Sequence, residues 1–323
     1  MRYEIDEIRR VLLNGLKQKI HIRGMRRRNP LLLVLHGGPG VPNRAGIMQN
    51  HAELAEHFTV VAWDQRGTGG SYKGAAPETM TMAHLQQDIL ELCTLLLHEF
   101  GQKKLFIMGG SWGTELGIYF VYDHPELVYA YLGYGQVVDG FLNEELSYRF
   151  VMKEAEKAGK TEDIKALQEI GPPMEGCYRP VFEGLMKHRS LLSKYGGSSV
   201  VKGSMWEKTV KPILLSEEYT LGDKWGIIKG YKFSLMHLWQ EIVRYHFIEE
   251  KTSFAVPIYI FQGRLDNNTP SSLVEEYFRA ISAPHKELIW FEHSAHGPLS
   301  EEKERFHRLM LEKLLPYAEG EEK

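Results

Sequence analysis

Six continuous apolar segments, separated by amphipathic stretches, constrain the fold of this chain more than any other feature. They lie at residues 31–35, 58–63, 105–108, 127–132, 257–261 and 288–291. Unbroken apolar runs suit strands that are buried on both faces, as in a parallel sheet covered by helices. Helical patterns separate them at 81–100, 114–124, 271–281 and 301–317. Residues 11–13 and 18–23 are typical of a hairpin that turns at Asn14-Gly15. The sequence therefore predicts an α/β fold.

The alternation is interrupted once, between about Asp139 and Ser253. This insert has helical patterns at 142–157, 181–194, 206–215 and 225–248. Its aromatic residues are expected mostly to form a small core of its own. Because the insert follows a predicted strand at one edge of the sheet, we expect it to cover that edge. The predicted organisation is an α/β core domain of residues 1–138 and 254–323 with a helical cap of residues 139–253.

Composition excludes several classes of function. The 323 residues are 43% hydrophobic and 25% charged, with a net charge of -3, so the chain lacks the basic surplus of nucleic-acid-binding proteins. Its N-terminus alternates acidic and basic residues and lacks the apolar centre of a secretory signal, and no apolar stretch approaches membrane-spanning length. Its 2 cysteines are too few for a disulfide scaffold. These features predict a cytoplasmic enzyme that binds neither nucleic acid nor membrane.

The sequence Gly109-Gly110-Ser111-Trp112-Gly113 is a G-x-S-x-G motif between a predicted strand and a predicted helix. In a sharp strand-to-helix turn the central serine adopts strained backbone geometry, and flanking glycines allow the chain to pack closely. The hydroxyl then stands at the sheet edge above a helix N-terminus, which favours developing negative charge. The motif alone also occurs in ordinary turns. Because strand, turn and helix come in the required order, we predict that Ser111 is a nucleophile.

A serine nucleophile requires a base and an acid that orients the base. On this type of sheet the expected chain order is Ser, acid, His. Asp266 follows the apolar run 257–261 in the sequence Gly-Arg-Leu-Asp and is the predicted acid. The alternatives are that Asp266 only caps a turn or helix, or that Asp139, after the fourth apolar run, is the acid.

The base must be chosen from 14 histidines. His296 is favoured because its small neighbours Ala295 and Gly297 allow the loop to fold over the serine, whereas His293 lies nearer the strand end. The histidine that is not the base would be a surface or supporting residue. Three further histidines come too early in the chain and are predicted to be structural: His36, His51 and His57.

Acyl transfer also needs donors for the oxyanion of the tetrahedral intermediate. The sequence His36-Gly37-Gly38-Pro39-Gly40 directly follows a predicted buried strand. Its glycines allow a backbone N–H to point into the cleft, although Gly-Pro loops are often only turns. The predicted donors are the N–H groups of Gly38 and of Trp112, the residue after the nucleophile.

Five motifs together resemble the prolyl aminopeptidase (proline iminopeptidase) group of α/β-hydrolases: His36-Gly37-Gly38-Pro39-Gly40, Asp64-Gln65-Arg66-Gly67-Thr68-Gly69-Gly70-Ser71, Gly109-Gly110-Ser111-Trp112-Gly113-Thr114, Gly263-Arg264-Leu265-Asp266 and Ser294-Ala295-His296. The resemblance covers residues 11–316 outside the insert. It implies a mostly parallel, eight-stranded sheet with helices on both faces and a helical cap inserted after the sixth strand. It also implies a set of site residues: the triad Ser111, Asp266 and His296, the oxyanion donors Gly38 and Trp112, and Asp64 and Arg66 as braces of the nucleophile region.

The resemblance implies an aminopeptidase that releases an N-terminal residue, preferably proline, from short peptides without a metal or cofactor. Members of the group bind the substrate ammonium with cap carboxylates and commonly carry Trp-x-x-Trp-Glu, whereas this chain has only Trp206-Glu207. A buried ammonium needs a counter-charge. Glu207 and Glu241 are candidates, with a solvated helix face as the alternative for each. Glu115, one turn after Ser111, either pairs with a cation or faces the cleft.

Two competing functions stay open on sequence. A carboxylesterase or lactonase would use the same nucleophile on small acyl substrates. A ligand-binding protein could retain the fold without catalysis, although it would have no chemical need for an ordered Ser, Asp and His. Two apparent binding signals are set aside. Gly159-Lys160-Thr161 lacks the first glycine and the preceding strand of a phosphate loop, and His293 with His296 lacks a third metal ligand.

Overall fold

The computed structural model describes residues 2–201, 207 and 211–319. Eight strands form one sheet in the order β1-β2-β4-β3-β5-β6-β7-β8. β2 is antiparallel to both β1 and β4, and all other neighbours are parallel. The predicted mostly parallel, eight-stranded α/β sheet is therefore confirmed. The strands are β1 Ile5–Leu13, β2 Leu16–Gly24, β3 Leu31–Leu35, β4 Thr59–Asp64, β5 Leu105–Gly110, β6 Val128–Tyr134, β7 Ile258–Gly263 and β8 Lys286–Phe291.

The continuous apolar strands are buried because cores lie on both faces of the sheet. In β3, Leu31, Leu33 and Leu35 pack into one core, and Leu32 and Val34 pack into the other. This alternation is what a strand covered on both faces requires. β8 is the exception: it lies at the edge of the sheet, and its residues before the last are only half-buried.

Helices cover both faces, and several end where the sequence supplies a cap. The first begins after Thr81, whose side chain accepts a hydrogen bond from the His84 N–H, and ends at Gly101 in the left-handed region with φ 64°. No helix among the described residues is long and apolar enough to span a membrane. The helices are α1 Met82–Phe100, α2 Trp112–Asp123, α3 Gly140–Lys157, α4 Thr161–Ile170, α5 Val181–Lys194, α6 Lys211–Leu215, α7 Leu221–Ile242, α8 Phe247–Glu250, α9 Ser271–Ala280, α10 Pro298–Glu301 and α11 Lys303–Glu319.

Helices α3 to α8 all lie between β6 and β7. α5 has the predicted bounds, and α3 begins two residues earlier than predicted. The pattern at 206–215 corresponds to α6 only from Lys211 onward; residues 206 and 208–210 lie outside the described part of the chain. The sequence analysis did not predict α4, although Ile164, Leu167 and Ile170 recur at helical spacing within it. The pattern at 225–248 divides into α7 and α8.

A buried charge network fixes the start of α7 to the sheet. Arg44, in the loop after β3, has a fully buried side chain that pairs with Asp64 at the end of β4 at 3.3 Å. It also pairs with Glu218 at 3.1 Å and with Asp223 at 3.3 Å. Breaking a buried pair of this kind strongly destabilises a protein, because the remaining charge has lost its partner. The network therefore holds α7 over the loop that follows β3.

Candidate active site

Ser111 occupies a strained turn between β5 and α2. Its backbone has φ 51° and ψ -124°, which is unusual for a residue with a side chain. The turn is fixed by hydrogen bonds from the Ser111 N–H to the Tyr134 carbonyl at 3.0 Å and from the Thr114 N–H to the Ser111 carbonyl at 2.7 Å. A Cβ on Gly113 would lie 2.0 Å from the Leu35 carbonyl oxygen, so α2 approaches β3 as closely as only glycine permits.

Asp266 and His296 are joined by a hydrogen bond at the carboxyl ends of β7 and β8. The distance from His296 Nδ1 to Asp266 Oδ2 is 2.9 Å. The carboxylate is 1% exposed and also accepts from the Thr269 hydroxyl at 2.7 Å and from the backbone N–H groups of Asn268 and Thr269. Gln262 Nε2 donates to it at 2.9 Å. These partners fix the carboxylate, and the carboxylate fixes the imidazole orientation.

The last residue of β6 and the glycine after it connect this pair to Ser111. Tyr134 accepts the Ser111 N–H, and a Cβ on the next residue, Gly135, would lie 2.8 Å from Cε1 of His296. In the described part of the chain His296 hydrogen-bonds Asp266 and Thr269, and no hydrogen bond joins it to Ser111. Such bonds are often absent from ligand-free enzymes and form with the substrate. The arrangement suits a nucleophile, a base and an orienting acid at one sheet edge.

The competing residues from the sequence lie in different environments. His293 is exposed, and its backbone N–H donates to Glu302. Asp139 accepts from the Leu142 N–H as the N-cap of α3 and hydrogen-bonds His246 at 2.7 Å. Among the described residues, no group of three or more His, Cys, Asp or Glu side chains is arranged to hold a metal ion. The geometry therefore favours Asp266 and His296 as the acid and base.

The loop after β3 passes directly over the nucleophile. A Cβ on Gly37 would lie 3.2 Å from Cβ of Ser111, and Gly38, with φ 131°, lines the same cavity as Ser111 and Trp112. Burial lowers the pKa of His36 to about 4, so its ring is neutral at pH 7. Its Nδ1–H donates to the Gly37 carbonyl at 2.7 Å. The position suits Gly38 and Trp112 as oxyanion donors.

Gln65 connects Trp112 to the loop that carries Gly38, and sequence reasoning overlooked it. Its side-chain amide donates to the His36 carbonyl at 3.0 Å and accepts from the Trp112 indole N–H at 3.0 Å. The family resemblance instead implied that Asp64 and Arg66 brace the nucleophile region. Asp64 pairs with Arg44, and Arg66 makes two hydrogen bonds to Asp88 on α1, at 2.7 and 2.8 Å. Both residues stabilise the surrounding loops, whereas Gln65 contacts the oxyanion region itself.

Replacing Gln65 by Leu is expected to reduce kcat about tenfold or more. The substitution leaves the Trp112 indole N–H and the His36 carbonyl without this partner, and each unsatisfied buried group costs about 1–3 kcal/mol. The loop can then shift its donors away from the oxyanion. Steady-state kinetics and thermal unfolding measure the two effects, with Gln87→Leu on the exposed face of α1 as the matched control. Unchanged kcat in Gln65→Leu would contradict the bracing role.

A cavity of about 90 Å³ lies between the sheet edge and the helical insert. Since one water occupies roughly 30 Å³ in the liquid, it has room for about three water molecules, comparable to a small amino-acid residue. The apolar part of its walls comes mostly from α5, α7 and the segment after α7. The residues that line it and bear on the chemistry are Gly38, Ser111, Trp112, Glu115, Asn143, Glu144, Arg189, Tyr231 and Tyr245.

The three predicted ammonium-binding carboxylates lie in different places. Glu115 lines the cavity and is 2% exposed. Glu241 is exposed, accepts a hydrogen bond from the Met82 N–H at 3.1 Å and does not line the cavity. Glu207 is exposed too, and its neighbour Trp206 lies outside the described residues. Only Glu115 of these three shares the cavity with Ser111.

The cavity also contains an ion pair that the sequence did not indicate. Both guanidinium NH groups of Arg189 donate to Glu144, one of them at 2.9 Å, and Asn143 donates to the same carboxylate at 3.2 Å. The two charged residues lie 45 positions apart, on α5 and α3. No local motif marks such a pair, because only the packing of the two helices brings it together.

Comparison with known proteins gives one family match and several similar chains. Residues 30–148 match the family model of the alpha/beta hydrolase fold. The chain is 31% identical over 296 residues to the probable aminopeptidase YbaC of Bacillus subtilis (strain 168), which covers 91% of this chain and 92% of that protein.

Two solved structures are similar in fold at low identity. The proline iminopeptidase of Mycobacterium smegmatis has a TM-score of 0.69 at 17% identity, covering 96% of this chain and 98% of that one. An epoxide hydrolase of Bacillus megaterium has a TM-score of 0.58 at 18% identity, covering 94% and 99%. Since the names of these two proteins indicate different reactions on one fold, the substrate has to be argued from the site.

Proposed function

The chain belongs to the α/β-hydrolase superfamily, in its prolyl aminopeptidase-like group, and on that premise we propose that this hydrolase acts through an acyl-enzyme formed on Ser111. The observation that carries the proposal is the hydrogen-bonded Asp266–His296 pair beside the strained Ser111 turn. A serine in this position needs only a base within reach to become nucleophilic.

In the proposed reaction, His296 Nε2 takes the proton from Ser111 Oγ as the oxygen attacks the substrate carbonyl carbon. The N–H groups of Gly38 and Trp112 hold the resulting oxyanion. His296 returns the proton to the leaving amine, the C–N bond breaks, and an ester to Ser111 remains. A water molecule, deprotonated by His296, then attacks that ester and releases the acid. Throughout the reaction, Asp266 accepts a hydrogen bond from the Nδ1–H of His296.

We propose an aminopeptidase that releases one N-terminal residue, preferably proline, from short peptides. The support is the aminopeptidase relative that matches along 91% of the chain, together with a cavity of about 90 Å³ that suits one residue better than a long chain. In this proposal the helices of residues 139–253 act as a cap that closes the cavity. Cys93 and Cys177 are unpaired thiols, as expected for the proposed cytoplasmic location.

A substrate panel tests the assignment. We expect kcat/KM to be highest for prolyl arylamide, lower for other aminoacyl arylamides, and lost on N-acetylation of the prolyl compound, because acetylation removes the ammonium. A carboxylesterase or lactonase would instead cleave a butyrate ester or a lactone best and tolerate the acetyl group. Turnover of the acetylated compound equal to that of the free amine would reject the aminopeptidase while leaving the serine mechanism intact.

A further inference from the structure

Glu115 is a buried carboxylate without a partner in the candidate active site. It lies in the first turn of α2, is 2% exposed and lines the cavity that also contains Ser111. Among the described residues it takes part in no hydrogen bond or ion pair. Burial and the nearby charge of Glu241 raise the pKa of Glu115 well above its usual range. A carboxyl group in this situation gains strongly from a cationic ligand.

The other charged groups around the cavity do not supply that cation. Arg189 is occupied by Glu144, with which it forms a doubly hydrogen-bonded pair. The described titratable groups that interact with the charge of Glu115 are Tyr119 on α2, Tyr245 after α7 and Glu241 on α7. None of them is a cation, because tyrosine and glutamate side chains are either neutral or negatively charged. The described side chains around Glu115 therefore supply no cation to it.

Glu115 also lies close to the nucleophile along the chain. Ser111 is the N-cap of α2, Glu115 lies in the first turn of that helix, and both residues line the same cavity. In an N-terminal residue, the nitrogen and the carbonyl carbon are two bonds apart, or about 2.5 Å from standard bond lengths. A carbonyl carbon held at Ser111 thus keeps its own α-ammonium inside the cavity that Glu115 lines.

We propose that Glu115 binds the α-ammonium of the substrate and thereby restricts the enzyme to peptides with a free N-terminus and a small, uncharged first residue. This inference rests on the proposed aminopeptidase activity. The size limit follows from the cavity volume of about 90 Å³, and the preference for an uncharged side chain follows from walls such as Leu185, Leu235 and Trp239. Because burial favours the neutral acid, binding of the ammonium is expected to shift Glu115 toward the carboxylate and to release protons to solvent.

Kinetics of Glu115→Gln test the proposal. Gln keeps the size and hydrogen-bonding capacity of Glu but cannot balance an ammonium. We expect kcat/KM for prolyl arylamide to fall about 100-fold or more relative to the value for a butyrate ester, because a buried ammonium is left without its counter-charge. The matched control is Glu169→Gln on α4, whose exposed side chain lies outside the cavity. It is expected to change both values less than threefold.

The outcomes separate this inference from the proposed function. Wild-type protein that cleaves esters but no aminoacyl arylamide would reject the aminopeptidase, and with it this role of Glu115. Wild-type protein that cleaves prolyl arylamide while Glu115→Gln keeps the same amine-to-ester ratio would overturn only the inference. An equal loss in Glu169→Gln would also overturn it, since the effect would then come from the general charge of the protein.

Calorimetry provides a readout that a merely structural role would not change. In the Ser111→Ala protein, L-prolinamide should bind without being cleaved. Titrations near pH 6 in two buffers of different ionisation enthalpy should show net proton release on binding. The Ser111→Ala, Glu115→Gln double variant should bind more weakly and release no proton. Equal affinity of the two proteins, or proton release that persists in the double variant, would overturn the role of Glu115.

Discussion

Replacing Ser111 by Ala is expected to lower kcat on the best substrate by about 10⁴-fold to 10⁶-fold, the range found when a serine nucleophile is removed. The proposed acyl-enzyme cannot form without Oγ, so any remaining turnover would come from binding and the oxyanion donors alone. Labelling by an active-site fluorophosphonate probe should disappear as well. The free energy of unfolding should change little, because the hydroxyl fills little volume and the strained φ of 51° is the same for Ala.

The control for this variant is Ser300→Ala, which removes an exposed serine outside the cavity. It should retain both turnover and labelling. Residual labelling of Ser111→Ala at the wild-type rate would identify another nucleophile. Wild-type protein that is never labelled would instead favour the ligand-binding alternative, in which the fold is kept without catalysis.

The sequence predicted the sheet well because the strands carry their signal locally. A strand such as Leu31–Leu35, buried on both faces, is recognisable as an apolar run whatever its neighbours are. The turn at Ser111 is likewise local, since Gly109 and Gly113 are required by contacts within one strand-turn-helix unit and with the adjacent strand. Candidate residues at the ends of such strands could therefore be selected before the structure was known.

Features that depend on packing between distant segments were not predictable. Glu144 and Arg189 meet only because α3 and α5 pack together, and nothing in either helix marks its residue as a cavity charge. Gln65 lay within a recognised motif, but its contacts to Trp112 and His36 come from the loop geometry. The sequence placed Glu115 one turn after Ser111 and left open whether it pairs with a cation or faces the cleft. The structure was needed to show that it lines the cavity and that no cation among the described residues pairs with it.

Replacing His296 by Ala is expected to reduce kcat about 10⁴-fold or more, and Asp266→Asn somewhat less, by analogy with other serine triads. In the proposed mechanism, His296 must accept the Ser111 proton and then protonate the leaving amine, and Ala can do neither. In the wild-type protein, the 2.9 Å hydrogen bond to Asp266 favours the His296 tautomer that carries its proton on Nδ1. Asn at position 266 would no longer enforce that tautomer.

The matched control is His293→Ala, three residues earlier in the same loop. Its side chain is exposed and its backbone N–H, which donates to Glu302, remains after the substitution, so kcat should stay within about threefold of wild type. Measuring kcat and thermal unfolding for the four proteins separates a lost base from a disturbed loop, since a disturbed loop would also lower the unfolding temperature. An inactive His293→Ala beside an active His296→Ala would instead identify His293 as the base. Asp266 could then not be its orienting acid, because the Asp266 carboxylate hydrogen-bonds the ring of His296 and not that of His293.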